Sequence, residues 1–398
     1  MYIHRFSFLT IAVLSSMISG LGAAAADNVL SCKSSDRYHD SLNAFETCHR
    51  ALQDKNLAKS DRAELLLARA EAAYFLSQFG RALMDLDEAL SLDPDLNEAY
   101  LRRAWTKMQV DLYPDALEDI TNVLSREPDN ADALFALGFF YADTNEWQTK
   151  AMPAFKQVLE LNPNHYLARF NLANIYKDYY GTYEDAISEY DKILQASDEE
   201  LQKVRIFYSQ GYSHFDFRGD VRLERAAAVM QLERYPEVLA ELSSLALAYP
   251  QVGDVFAVRA QLYNRLRKFN EAHADARLAI ELEPYGFAQM ESLVEALVGL
   301  GNHSQAISNA DKFVSGPLAA SIRGRILFWR GYANKALGNR EEALQDFETS
   351  ISYDQSSLPR LLTQLVQNKY YKGEVTDTYN ERARNGLQAC IIDPECGR

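Results

Sequence analysis

Residues 63–128 repeat themselves at a fixed offset. Ala70 falls on Ala104, Ala82 on Ala116, Leu86 on Ile120 and Pro94 on Pro128, each 34 residues apart. A unit this short cannot bury its apolar face alone. It must stack on neighbours of its own kind, which points to a solenoid rather than a set of globular domains. Only 18 glycines and 11 prolines occur in 398 residues, and they recur at repeat junctions, which favours helices.

The residue opening each second helix serves as a ruler: Ala44, Ala82, Ala116, Ala151, Ala186, Val238, Ala272, Ala306 and Ala343. The intervals are 38, 34, 35, 35, 52, 34, 34 and 37. Small side chains are needed where two helices approach closely. Ala70, Ala104, Gly138, Ala173, Ala226, Ala260 and Gly331 meet the same need from the first helix. Leu86, Ile120, Phe155, Tyr190, Leu242 and Phe347 supply the bulky partner. Units close near Pro94, Pro128, Pro163, Pro250 and Pro284, since the residue before a proline is pushed out of helical geometry. Pro114 and Pro236 instead sit at helix starts, where proline is tolerated. Pro153 predicts a late start for its helix.

This pattern resembles the tetratricopeptide repeat (TPR), a helix–turn–helix unit, over about 63–196 and 219–354. The resemblance implies an all-α, right-handed superhelical solenoid with capping helices. The expected order is an N-terminal half-repeat cap at 27–60, four units at 61–196, an irregular seam at 197–221, four more units at 219–354 and a helical cap at 355–398. The interval of 52 places an extra helix at 201–217, with Arg218-Gly219-Asp220 as the turn after it. Beyond Asp354, helices are expected at 358–372 and 376–389.

The basic start, the apolar run SFLTIAVLSSMISGLG and the AAAA stretch before Asp27 read as a secretory signal at 1–26. No stretch is long enough to span a membrane. Export makes four cysteines meaningful, and three connectivities are possible. The ends of a solenoid lie far apart, so two local bridges are expected, Cys32–Cys48 and Cys390–Cys396. A bridge closing about 15 residues is worth ~3 kcal/mol in the chain-entropy model, at ends that fray first. Net charge is −15, and −16 without Arg5 of the signal, which disfavours nucleic acid as a partner.

No catalytic pattern holds. GLGNHS (299–304) has no strand before it and reads as a turn between helices. The seven histidines form no HExxH or i,i+4 pair, and His214, Asp216 and Asp220 read as a solvated loop. Neither catalysis nor a cofactor or metal is expected. In the TPR family first helices line a groove that takes peptides or partner helices. Steps of i, i+4 and i+7 assign that face to Leu67, Glu71 and Tyr74, then Leu101, Trp105 and Met108. Phe135, Phe139 and Ala142 follow, then Phe170, Asn174 and Lys177. The expected partner-binding set is Tyr74, Leu101, Trp105, Met108, Phe135, Phe139, Phe170 and Asn174, because aromatics make binding hot spots. The family's Lys/Arg/Asn clamp for acidic tails is not visible. The resulting expectation is an exported, periplasmic scaffold for a protein or peptide. The alternative is a binder of cell-wall glycan or a lipid carrier, since aromatic rows also stack on sugars.

Overall fold

In a computed structural model the chain is described at residues 29–37, 40–144, 146–202, 204, 216–284, 286–354, 357–375, 378–393 and 396. The signal at 1–26 lies outside these residues, as do His214 and most of the extra helix expected at 201–217. Every regular element among the described residues is helical. The chain forms two compact units, Met1–Tyr212 and Ser213–Arg398.

In the first unit, α1 (Ser41–Ala51) precedes four hairpins. They pair α2 (Lys59–Phe75) with α3 (Phe79–Leu92), and α4 (Asn97–Met108) with α5 (Tyr113–Arg126). Next come α6 (Ala131–Asp143) with α7 (Met152–Leu161), and α8 (Tyr166–Ile175) with α9 (Tyr183–Leu194). Short α10 (Asp198–Gln202) follows. The N-terminal cap is more than a lone second helix. Residues 29–34 are helical, and a Cys32–Cys48 disulfide ties them to α1 in a fully buried position. Pro153 lies in the first turn of α7, which begins at Met152 after one π-helical turn, Trp147–Ala151.

The second unit pairs α11 (Phe217–Gln231) with α12 (Tyr235–Ala248), and α13 (Gly253–Arg265) with α14 (Phe269–Leu282). Then come α15 (Phe287–Gly299) with α16 (His303–Val314), and α17 (Ala320–Leu337) with α18 (Arg340–Tyr353). Helices α19 (Ser357–Gln367) and α20 (Glu381–Ile392) close it. Arg218-Gly219-Asp220 is not a turn: it forms the first turn of α11, where Asp216 caps the helix by accepting from Gly219 N at 2.8 Å. The helix expected at 376–389 starts later, because Asn380 accepts from Ala383 N at 2.9 Å and so fixes its N-terminus. The one expected at 358–372 ends at Gln367, shortly before left-handed Lys369. A Cys390–Cys396 disulfide joins the end of α20 to the segment after it.

In α6/α7 and α17/α18 the small residue of the first helix meets the bulky residue of the second. A Cβ on Gly138 would lie 2.8 Å from the fully buried Phe155 ring, and one on Gly331 would lie 3.1 Å from Phe347. Any larger side chain would overpack these contacts. The turn between the two helices uses one left-handed residue at a repeating position: Ser77, Asp111, Gly181, Glu233, Arg267, Gly301 and Gly338. Gly301 belongs to the GLGNHS segment, which is accordingly a turn.

A second periodic contact is electrostatic. Arginine just before the small residue of the first helix grips an acid on the second helix, 16 residues on. The pairs are Arg69–Asp85, Arg103–Asp119, Arg259–Asp275 and Arg330–Asp346, each through two or more hydrogen bonds of 2.5–3.2 Å. Three of these arginines also reach the preceding second helix, at His49, Asp87 and Asp311 (3.0, 2.7 and 2.6 Å). The guanidinium therefore fills the furrow between successive second helices. The same register holds Leu137 and Ala154 at α6/α7, Leu172 and Glu189 at α8/α9, and Leu293 and Asn309 at α15/α16.

One contact in the second unit responds to pH. Asp254 opens α13 beside Glu283, whose carboxylate accepts from Gly253 N at 2.9 Å. Burial first, then the charges of Glu283 and Glu224, pushes the Asp254 carboxyl from 3.8 up to about 6. An acid whose folded pKa is raised adds stability while protonated, and that contribution fades as pH climbs from about 4 to about 6. Asp254→Asn should therefore raise the urea midpoint at pH 7 and leave it unchanged near pH 4. An equal shift at both pH values would assign the effect to packing.

Candidate functional site: a first-helix cavity in the second unit

The residues expected to line a groove in the first unit are largely sealed. Tyr74, Leu101, Trp105, Met108 and Phe135 are each less than a tenth exposed and belong to one core cluster. Trp105 lies against Phe135 and Phe139 (centroids 5.9 and 4.9 Å), and Phe135 against Phe155 and His165 (5.8 and 4.7 Å). The space left beside Tyr74 and Trp105 is about 10 Å³, too little for more than a water. Glu71, on the same face, is buried between Arg37 and Arg102, at 2.5 and 2.6 Å. Phe139, Phe170 and Asn174 keep partial exposure. Phe170 packs on Tyr190, whose hydroxyl donates to Asn174 Oδ1. These side chains hold repeat to repeat. His165 has a structural role too: burial lowers its pKa, and the neutral ring caps α8 by accepting from Ala168 N at 3.1 Å.

Open space of ligand size occurs in the second unit. First helices α13, α15 and α17, then α19, contact one another in succession and enclose a cavity of about 680 Å³. Phe328, nearly fully buried and packed edge-on against Phe347, forms its aromatic base. On that base stand the partly exposed Trp329 and Tyr332, with centroids 5.7 Å apart. The facing wall, from α19 and the residue after it, is polar: Thr363, Gln364, Gln367 and Asn368. Tyr332 donates its hydroxyl to Gln364 Oε1.

Asn264 closes the far side. It is 4% exposed, and its Nδ2 donates to the Ser292 carbonyl at 2.9 Å. Its Oδ1 is buried and has no hydrogen-bond partner among the described residues. An unmet buried acceptor of this kind costs about 1–3 kcal/mol, which a donor from a bound group would relieve. The charged rim is balanced, with Arg267 and Glu295. A neighbouring cavity of about 640 Å³ shares Val298 and Tyr332 and adds Lys335, His303 and the end of α20. No helix among the described residues is long and apolar enough to cross a membrane, and none of their His, Cys, Asp and Glu side chains group as a metal site.

The signal that locates this cavity is the register already used on the first unit. Positions of Leu101, Trp105 and Met108 translate to Phe328, Tyr332 and Lys335 in α17. The Trp105 and Met108 positions become Glu295 and Val298 in α15, and the Met108 position becomes Asn264 in α13.

A tetratricopeptide-repeat family model matches residues 324–357, and a second matches 101–151 and 149–200. The hairpins at 101–200 and 324–357 are tetratricopeptide repeats. Among curated proteins, serine/threonine-protein phosphatase T of Aspergillus oryzae is 42% identical over 78 residues, covering 19% of this chain and 16% of its own. The DnaJ homolog subfamily C member 7 homolog of Schizosaccharomyces pombe is 25% identical over 265 residues, covering 63% and 51%. The chain thus spans about half, or less, of the length of these relatives. Among solved structures, the APC/C hetero-tetramer Cut9-Hcn1 aligns with a TM-score of 0.58 at 14% identity, over 93% of this chain and 63% of that one. The human IFIT1 dimer with PPP-AAAA aligns with a TM-score of 0.53 at 15% identity, over 83% and 80%. At such identities the likeness is one of fold. The TPR repeats suggest a scaffold for protein–protein interaction.

Proposed function

We propose that this chain is an exported, periplasmic, non-catalytic TPR scaffold that holds a protein or peptide segment in the first-helix cavity of its second unit. The observation carrying this reading is the contrast in open volume between the two first-helix faces: about 10 Å³ beside Trp105 and about 680 Å³ beside Trp329. Aromatic surface at Trp329 and Tyr332 supplies contact area, and the carboxamides of Asn264, Gln364, Gln367 and Asn368 pair with either polarity of a peptide backbone. In the first unit, Phe139, Phe170 and Asn174 make a secondary surface. The apolar leader and the two cysteine pairs motivate the exported setting.

The test is capture from a cell-envelope extract, followed by titration of the identified partner segment against the purified chain. Trp329→Ala with Asn264→Ala should weaken binding at least about tenfold, while Phe139→Ala with Phe170→Ala has a smaller effect. The reverse ranking would move the site to the first unit. N-terminal sequencing of the mature protein should begin at Asp27, and a start at Met1 would remove the export reading. The same aromatics beside carboxamides support glycan binding as a second reading. Retention on isolated wall glycan, lost with Trp329→Ala, would favour it.

A further inference from the structure

Where the periodic arginine clamp is missing, the outer face of the second unit is open. At Arg103 and Arg330 a guanidinium rises from the first helix and lies between acids of two successive second helices, Asp87 with Asp119 and Asp311 with Asp346. In the furrow between α14 and α16 each of those positions is changed. Leu293 replaces the arginine, Asn309 the acid after it and Arg277 the acid before it. The centre has lost its cation and the wall has gained one.

The result is a cavity of about 300 Å³, at the small end of ligand sites. Its floor is apolar, from Leu293, Leu297, Ile280 and Phe313. Its rim carries Arg277 and Lys312. Glu281 is the acid on the rim, and it meets Arg277 only at 3.4 Å with both side chains more than half exposed. A pair so exposed is worth little and yields readily to a better-placed anion. His273 faces the same space. Burial and the neighbouring Arg277 lower its pKa, so it is neutral at pH 7 and offers a hydrogen bond rather than a charge. The amides of Gln305 and Asn309 complete the lining.

We propose that this furrow binds a small aliphatic carboxylate, its head between Arg277 and Lys312 and its tail on Leu293 and Leu297. Where the ordinary furrow encloses a cation between anions, this one presents cations around an apolar floor. The complementary occupant is an anion with a hydrocarbon body.

Isothermal titration of the full chain with hexanoate, hexan-1-ol and hexylammonium tests this directly. Hexanoate should bind at least about tenfold more tightly than the alcohol, and hexylammonium should not bind. Arg277→Gln with Lys312→Gln should remove the preference for hexanoate over hexanol. Leu293→Arg with Asn309→Asp rebuilds the ordinary clamp and should abolish binding of both while the helical circular dichroism is retained. The proposal is overturned if hexanoate gives no heat, if the three probes bind alike, or if the charge variant keeps its preference. Should the rebuilt clamp fail to fold, the charge variant decides alone. None of these outcomes bears on the first-helix cavity, which shares helices α14 and α15 with the furrow but none of its lining residues.

Discussion

Phe347→Ala should destabilise the second unit by about 3–5 kcal/mol, the range for emptying a large aromatic site. Phe347 is 1% exposed and wedged against Gly331, where a Cβ would already lie 3.1 Å from its ring. Its ring contacts Phe328 and Tyr332 edge-on, at 5.6 and 5.0 Å. The neighbours cannot collapse without moving the floor of the first-helix cavity. Since whole domains are stable by only about 5–15 kcal/mol, a loss of this size is a large share of the total. Urea unfolding followed by circular dichroism measures it. The variant should also lose cavity binding before it unfolds, because Tyr332 no longer has a backing. A loss under ~1 kcal/mol would mean that the wedge is not what joins α17 to α18.

In the first unit the largest single effect is expected at a carboxylate. Asp119 is 2% exposed, accepts twice from Arg103 at 2.6 and 2.9 Å, and lies 2.8 Å from Lys107. Asp119→Ala leaves two cations facing an emptied, water-poor space, for a cost of about 3–5 kcal/mol. Lys107 keeps a bond to the Asp115 carbonyl at 3.1 Å, and Arg103 keeps the exposed Asp87 at 2.7 Å, so the lower end of that range is expected. The informative partner is the double variant Arg103→Leu, Asp119→Asn. It copies what the chain already has at Leu293 and Asn309, and should recover most of the loss. If the double variant is as unstable as the single one, the clamp contributes more than charge balance.

Much of this was legible without coordinates. Hairpin boundaries follow from local rules: proline after a unit, proline in a first turn, and small residues at the helix crossing. Asn380 is equally readable as a cap, and it sets the start of the last helix at Glu381, five residues beyond 376. The clamp was present in plain view as arginine before the small residue and acid 16 residues later. A search for apolar periodicity alone does not register it, because its partners are charged.

The candidate site divides differently. Trp105 and Tyr332 occupy the same register of their first helices, so sequence spacing assigns them the same face. It does not say whether that face is covered. Trp105 is covered because Phe135 and Phe139 from the next first helix lie on it. Tyr332 is not, because the element after α17/α18 is α19, which presents threonine and carboxamides across an open space. Exposure depends on what the neighbouring repeat brings, at distances far greater than the reach of local spacing. The sequence by itself determined the period, the helical hairpins and the face each side chain occupies, since those depend on residues within one unit. Only the tertiary structure decided which faces are sealed and which remain open, since that depends on side-chain volume contributed by the next unit along.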